Sequence, residues 1–253
     1  MKTYYNEFDP GPAKWIRALQ IAGEISQGVI DERSIKAVVG ADLTGVRRAH
    51  FFAGIGGWEL ALKIAGWGDE EVWTGSCPCQ PFSCSGKRKA ESDERHLWPD
   101  FLRLIAERRP ATIFGEQTAS STGRIWLAGV QADLEALGYA VGRSDVCSAS
   151  VGSIDIRQRL FWVAHATHKP SPKTRPAALS GGENWGAWTR ASVLRWREMA
   201  APDWEIPSSW IVRSIDGVPG RVVGGRGFGN AINPILAAEF VMASMEAINV
   251  VKG

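Results

Sequence analysis

The sequence predicts an α/β fold built on a mainly parallel sheet with helices packed against it. Short apolar runs that are typical of buried strands alternate with longer amphipathic stretches that are typical of helices. The repeat is clearest at KTYYNEF followed by AKWIRALQIAG, RRAHFFAG followed by WELALKIAGW, and EVWTGS followed by HLWPDFLRLIAERR. Hydrophobic residues make up 45% and charged residues 22% of the 253 residues, which is the balance of an ordinary globular protein.

The same alternation continues through the middle of the chain. A strand at ATIFGEQ precedes a helix that is predicted around 125–137, and two further strands are predicted near 139–148 and 159–165. A last helix is predicted from about 233 to 248. These elements extend the predicted α/β pattern almost to the end of the chain.

The alternation breaks down between residues 165 and 218, a stretch rich in Pro, Gly, Ser and Trp. Between 165 and 214, seven Lys or Arg stand against four acids, a balance of +3 within a chain whose net charge is only +2. We therefore expect an α/β domain over 1–164, a small irregular lobe over 165–218, and a segment over 219–253 that returns to the first domain.

Composition also excludes several classes of protein. No apolar run is long enough to cross a membrane, and MKTYYNEFDP has acids where a signal peptide would be apolar, so we expect a cytoplasmic protein. The four cysteines are too few for a disulfide scaffold. Cys77 and Cys79 have one residue between them and no second pair, whereas zinc pairs usually have two to four residues between ligands, so no metal is expected.

The strongest local signal is the segment GSCPCQPFS, which contains Cys79 and follows the strand-like EVWT. A cysteine at the end of a parallel strand lies at the edge where α/β folds bind their ligands, and it can act there as a nucleophile. The alternative is a buried structural thiol, which is the usual fate of a free cysteine. The residues alone leave both interpretations open.

Several segments together resemble the motifs of the DNA cytosine-5 methyltransferase family. Pro78-Cys79-Gln80 is similar to its nucleophile motif, and FAGIGG (52–57) to its glycine-rich donor-binding turn. Glu116 occupies the carboxylate position of a strand-end motif, and Arg157 and Arg159 match an arginine motif. Asn230, before the last helix, is similar to the closing motif. The resemblance implies a Rossmann-like methyltransferase fold that uses S-adenosylmethionine, with 165–218 as the target-recognition region.

Two further motifs of the family lie at the amino terminus. Glu7 in YNEFD resembles the acid that holds the ribose hydroxyls, and Asp31 in VIDERSI resembles the residue that binds the adenine amine. Both precede the glycine-rich turn, whereas in the family they follow it. We therefore expect a circularly permuted variant of phage or bacterial type, which is tolerable because packed elements can keep their places when chain connections change.

The resemblance also implies a role for each matching residue. Cys79 adds to carbon 6 of a flipped cytosine, Glu116 binds ring nitrogen 3, Arg159 donates to the ring carbonyl, and Arg157 braces the site. The residues expected to bind the cofactor are Glu7, Asp31, Phe52, Gly54, Gly56, Gly57, Pro78 and Asn230. The residues expected to contact DNA are Gln80, Ser83, Lys87, Arg88 and Lys89. The expected partner is double-stranded DNA, bound by a monomer that belongs to a restriction-modification system.

Two other functions remain open at this level. One is a pyrimidine C5 one-carbon transferase that acts on a free nucleotide or uses another donor, and the other is a non-catalytic DNA-binding relative. The sequence also departs from the family at three places. Asp155 replaces a glutamine, Gln117-Thr118 replace Asn-Val, and His50 stands where an acid usually precedes the glycine-rich turn.

Overall fold

A computed structural model of the chain describes residues 2–78, 97–153, 157–166 and 231–252. Within these ranges, seven strands form one sheet in the order β2-β1-β3-β4-β5-β7-β6. The strands are β1 (Thr3–Asn6), β2 (Gly28–Asp31), β3 (Arg48–Phe51), β4 (Val72–Gly75), β5 (Thr112–Thr118), β6 (Tyr139–Cys147) and β7 (Gln158–Ala166). β1 to β5 are parallel, and β7 is antiparallel to both β5 and β6.

Five α-helices accompany the sheet in the described part of the chain. They are α1 (Pro10–Ile21), α2 (Gly57–Ile64), α3 (Trp98–Arg108), α4 (Ser121–Ala136) and α5 (Pro234–Lys252). The starts of α1 and α4 follow ordinary capping rules, because Asp9 accepts a hydrogen bond from the Gly11 amide and Ser120 accepts one from the Gly123 amide.

Two clusters of buried side chains form the core. The larger cluster includes Phe51, Trp73, Phe101 and Trp162, and it brings α3 and α4 together with the sheet. The smaller cluster contains Trp58 of α2, Phe114 of β5, Phe161 of β7, and Leu236 and Val241 of α5. α5 therefore packs on α2 and the sheet although it lies at the far end of the sequence.

A buried ionic network ties β3 to α2 within the core. Glu59 lies with one carboxylate oxygen 2.8 Å from Arg48 Nη1 and the other 2.8 Å from His50 Nε2. His50 Nδ1 is 2.9 Å from the Thr74 hydroxyl, and Arg48 also donates to the Gly68 carbonyl at 2.7 Å. Burial alone would raise the pKa of Glu59, but its hydrogen bond with His50 and the charges of His50 and Arg48 lower it to about 2.

The predicted α/β class is confirmed by this sheet. The helix predicted around 125–137 begins earlier, at Ser121, and the last helix runs to Lys252 rather than 248. The two late strands match their predicted positions to within one residue at each end. The lobe expected over 165–218 lies almost wholly outside the described residues, so the domain boundaries remain predictions.

None of the helices in the described ranges combines the length and the apolar character that crossing a membrane requires.

Candidate active site

The candidate residues lie on one edge of the sheet because of the strand directions. Glu7 follows the end of β1, Asp31 ends β2, and the turn of residues 52–57 follows β3. β4 ends at Gly75 and leads to Pro78. Parallel strands end at the same edge of a sheet, which is where α/β folds bind ligands.

The antiparallel strand β7 brings the arginines to this edge as well. It runs opposite to β5, so that Arg159 near its start pairs in register with Thr118 at the end of β5. Arg157 directly precedes the strand. The sheet therefore joins sequence segments that are more than a hundred residues apart, such as those of Glu7 and Arg159.

The turn of residues 52–57 has an unusual backbone. Phe52 has φ of 52°, Gly54 of 55° and Gly56 of 84°, all in the left-handed region. Glycine adopts this region freely, but a left-handed phenylalanine is strained by about 1–3 kcal/mol. Among the described residues, a Cβ added at Gly54 would meet nothing closer than the Phe52 carbonyl at 4.0 Å, so these residues leave open space there.

Glu7 connects the end of β1 to this turn. Its Oε2 accepts a hydrogen bond of 2.7 Å from the Gly54 amide, and its Oε1 accepts one of 2.9 Å from the Asp9 amide. Burial raises the pKa of Glu7, although the hydrogen bonds from these two amides act in the opposite direction. The ribose residue expected from the sequence and the donor-binding turn are thus in direct contact.

Asp31 is the second acid at this edge, and other residues of the protein already bind both its oxygens. The Tyr4 hydroxyl donates to Oδ2 at 2.7 Å, and Arg33 donates to both oxygens through its backbone and its guanidinium group. Burial would raise the pKa of Asp31, but the hydrogen bonds from Arg33 and Tyr4 outweigh it and lower the pKa. Its role toward adenine remains a prediction.

Glu116 and Arg159 form an ion pair at the end of β5. Arg159 Nε lies 2.6 Å from Glu116 Oε1, and the Glu116 side chain is only 9% exposed. Burial raises the pKa of Glu116, while the charges of Arg159 and Arg157 partly oppose the shift. The structure therefore brings together the carboxyl group and the two arginines that the sequence singled out.

Gln117 and Trp58 contact the segment that leads to Cys79, and neither was among the expected site residues. The Gln117 side-chain amide donates to the Cys77 carbonyl at 3.2 Å, and Trp58 Nε1 donates to the Ser76 hydroxyl at 3.0 Å. Gln117 was visible in the sequence only as a departure from the family motif. Its position next to Glu116, at the end of a strand, was the signal that could have revealed this contact.

Several expected site residues lie outside the described ranges. They are Cys79, Gln80, Ser83, Lys87, Arg88, Lys89 and Asn230. Within the ranges that the structure does describe, no cluster of His, Cys, Asp and Glu has the makeup of a metal site.

Part of this chain is similar to proteins of one known family. Residues 68–184 match the family model of the C-5 cytosine-specific DNA methylases. The chain is 32% identical over 111 residues to the type II methyltransferase M.AplI of Arthrospira platensis, covering 43% of this chain and 32% of that protein. It is 26% identical over 161 residues to M.HhaI of Haemophilus parahaemolyticus, covering 48% of this chain and 49% of that protein.

Solved structures give a more distant likeness. The Dnmt2 methyltransferase of S. pombe aligns with a TM-score of 0.42 and 15% identity, over 72% of this chain and 58% of its own. The methyltransferase EhMeth of Entamoeba histolytica aligns with a TM-score of 0.35 and 18% identity, over 66% and 53%.

The matched residues span about a third of the length of M.AplI and about half of the length of M.HhaI. The matched stretch begins after the glycine-rich turn and includes the nucleophile motif, Glu116 and both arginines. Over residues 68–184, the chain is therefore similar to the C-5 cytosine-specific DNA methylases.

Proposed function

We propose that the protein is a DNA cytosine-5 methyltransferase that takes its methyl group from S-adenosylmethionine. The observation that carries the proposal is the ion pair of the buried Glu116 with the partly buried Arg159, which lies at the end of β5 inside the stretch that matches the methylase family. β5 is hydrogen-bonded to β4, and β4 leads directly into the Pro78-Cys79-Gln80 motif.

The proposed chemistry begins with addition of the Cys79 thiolate to carbon 6 of the cytosine. The addition moves an electron pair toward carbon 5 and builds charge at ring nitrogen 3. Glu116 is suited to bind that nitrogen, because burial raises its pKa and favours a proton on the carboxyl group. Arg159, held by Glu116, would donate to the ring carbonyl.

The cofactor, when bound, supplies an electrophilic methyl group to carbon 5. A base then removes the proton from carbon 5, and the electron pair of that bond expels the Cys79 thiolate and restores the ring. A base inside a duplex cannot expose both ring faces, so we propose that the target cytosine is flipped out of double-stranded DNA.

The described residues fit the proposed cofactor. Glu7 offers an acceptor carboxylate to ribose hydroxyls, and the turn of residues 52–57 leaves open space at Gly54 for the methionine part. Gly57 is closely packed on the other side, because a Cβ there would lie 2.5 Å from Ile232 Cγ2. The small residues of this turn therefore leave room for the ligand on one side and allow Ile232 to pack closely on the other.

We also propose that the chain is a permuted member of the family. β1, which leads to Glu7, and β2, which ends at Asp31, come first in the sequence, and they continue the sheet from β3 in the order β2-β1-β3. The contact between Glu7 and Gly54 supports this arrangement. It joins the ribose-binding motif to the glycine-rich turn, the two motifs whose order along the chain is reversed by the permutation.

The test is methyl transfer from labelled S-adenosylmethionine to duplex DNA, followed by bisulfite sequencing of the product. We expect protected cytosines with the unaltered protein and none with Cys79→Ala, while S-adenosylhomocysteine binds both proteins equally. Cys147→Ala is the matched control, because Cys147 is a free cysteine at the end of β6 and should be dispensable. Full activity of Cys79→Ala would disprove the mechanism.

The same assay separates the alternatives. Methylation of free deoxycytidine monophosphate instead of DNA would identify a nucleotide-modifying enzyme. DNA binding that is weakened by salt, without any methyl transfer, would identify a non-catalytic relative.

A further inference from the structure

We infer that Glu7 has a second role beyond holding the ribose, as the positioning residue that keeps the turn of residues 52–57 in its ligand-binding shape. The inference rests on the proposed function, because it concerns the same cofactor site. It makes one carboxylate the link between the ribose half and the methionine half of the cofactor.

The turn needs such support because its backbone is strained. Phe52, Gly54 and Gly56 all have positive φ, at 52°, 55° and 84°. Strained backbone persists only where neighbouring groups hold it. The end of β1 supplies two such contacts, from the Ala53 amide to the Asn6 carbonyl at 3.1 Å and from the Gly54 amide to Glu7 Oε2 at 2.7 Å.

The chemistry of the contact favours a carboxylate over other side chains. Both Glu7 oxygens face a backbone N–H, one from Gly54 and one from Asp9. A carboxylate accepts at both oxygens, whereas a glutamine would turn an NH₂ group toward one of the two amides. Asp9 in turn caps α1, so Glu7 joins the turn to the start of that helix.

The support and the ribose contact are compatible with each other. Each carboxylate oxygen has two lone-pair sites, so Glu7 can accept from a ribose hydroxyl without releasing Gly54 or Asp9. Loss of the carboxylate should therefore weaken two things at once, namely the bond to the ribose and the shape of the turn that receives the other end of the ligand.

The first experiment measures amide hydrogen exchange of residues 52–56 in the ligand-free protein. We expect faster exchange in Glu7→Gln than in the unaltered protein, with the largest change at Gly54. Glu107→Gln is the matched control, since Glu107 also accepts a hydrogen bond from a glycine amide, that of Gly40 at 2.9 Å. Unchanged exchange at 52–56 in Glu7→Gln would overturn the inference.

The second experiment compares the binding of S-adenosylhomocysteine with that of its 2′,3′-dideoxy analogue by calorimetry. A residue that serves only the ribose hydroxyls cannot affect the analogue. We expect Glu7→Gln to bind the analogue at least about tenfold more weakly than the unaltered protein does, as loss of a hydrogen bond to a charged acceptor implies. Equal affinity of the two proteins for the analogue would contradict the second role.

The two experiments also separate this inference from the proposed function. If the unaltered protein bound neither ligand, the proposed function would fail, whereas the exchange rates at 52–56 would still decide whether Glu7 supports the turn. The thermal unfolding of each variant, measured in parallel, should show that Glu7→Gln and Glu107→Gln remain folded.

Discussion

At the scale of single residues, the protonation state of Glu116 depends on two opposing effects. Burial raises its pKa, and the neighbouring positive charges of Arg159 and Arg157 limit the shift. A protonated carboxyl group can donate to ring nitrogen 3, whereas a fully ionised one cannot. The two arginines therefore affect the charge of the acid beside them, and in the proposed mechanism Arg159 would also donate to the substrate.

We expect Glu116→Gln to lower the rate of methyl transfer by about 100-fold or more, because it removes a positioned proton donor. The affinity for S-adenosylhomocysteine should stay the same. The measurement is single-turnover methyl transfer, and Glu135→Gln, an exposed change in α4, is the control. Turnover within a few-fold of the unaltered protein would argue against an acid role for Glu116.

The free energies of unfolding of the unaltered protein and of Glu116→Gln should also depend differently on pH. Because the pKa of Glu116 is raised in the folded state, its contribution to stability is complete below the ordinary pKa of Glu, 4.5. This contribution is lost as the pH rises through the pKa of the folded protein. Relative to Glu116→Gln, the unaltered protein should therefore lose free energy of unfolding above pH 4.5. Urea unfolding across this range measures the difference, and a constant difference would contradict the raised pKa.

Glu59 presents the opposite case. Its pKa is lowered to about 2, so its contribution to stability is present above the ordinary value of 4.5 and is lost as the pH falls toward 2. We expect Glu59→Gln to cost about 3–5 kcal/mol at pH 7, because it leaves the buried Arg48 without its ionic partner. The cost should shrink as the pH falls below 4.5.

Urea unfolding of both proteins measures this cost, and Glu32→Gln provides the control. Glu32 pairs with Arg17 on the surface, where an ion pair contributes at most about 1 kcal/mol. Similar losses in the two variants would show that the buried network adds no special stability.

At the scale of elements, the pairing of β5 with β7 positions Glu116 against Arg159, and it depends on close packing over Gly115. A Cβ at Gly115 would lie 2.2 Å from the ring of Trp162, which is fully buried in the core. The indole ring therefore occupies the space that any larger side chain at position 115 would need.

Gly115→Ala should destabilise the protein by about 1–3 kcal/mol, as overpacking of a core does. Gly129→Ala is the matched control, because no described residue lies within 4 Å of a Cβ at this position of α4, and alanine there should stabilise the helix by up to about 1 kcal/mol. Thermal or urea unfolding checks both. A neutral Gly115→Ala would mean that Trp162 can move aside.

The strands and helices were largely predictable, because their hydrophobic periodicity is local. The ion pair of Glu116 and Arg159 could be expected only as a motif resemblance, since it depends on the antiparallel course of β7. The position of Gln117 beside Glu116 could have marked it as a residue of the site, but its partner, the Cys77 carbonyl, could not be identified from the sequence. The contact joins two strand ends whose spacing is fixed by the sheet and not by the sequence around either residue.

At the scale of the whole molecule, the first two strands are integral to the sheet. β1 lies between β2 and β3, and Tyr4 and Tyr5 are almost completely buried. A chain shortened to residues 46–253 would expose one side of β3 and lose Glu7 and Asp31. The match to the methylase family begins only at residue 68, yet the segment before it completes the fold.

We expect the 46–253 fragment to lose cooperative unfolding and binding of S-adenosylhomocysteine. The control is the full chain with a protease site inserted at Gly45, which has a positive φ and no described residue within 4 Å of an added Cβ. After cleavage, the two pieces should stay associated and folded. Circular dichroism and calorimetry test both proteins, and a folded, ligand-binding fragment would show that β1 and β2 are dispensable.

The order of the strands has a consequence for synthesis on the ribosome. The strands β1, β2 and β3 and the turn of residues 52–57 are all made before position 79 is translated. The ribosome adds about 5–20 residues per second, and folding starts with the amino-terminal part of the chain. The segments proposed to bind the ribose and the methionine part of the methyl donor are therefore synthesised about 1–4 seconds before the proposed nucleophile, Cys79.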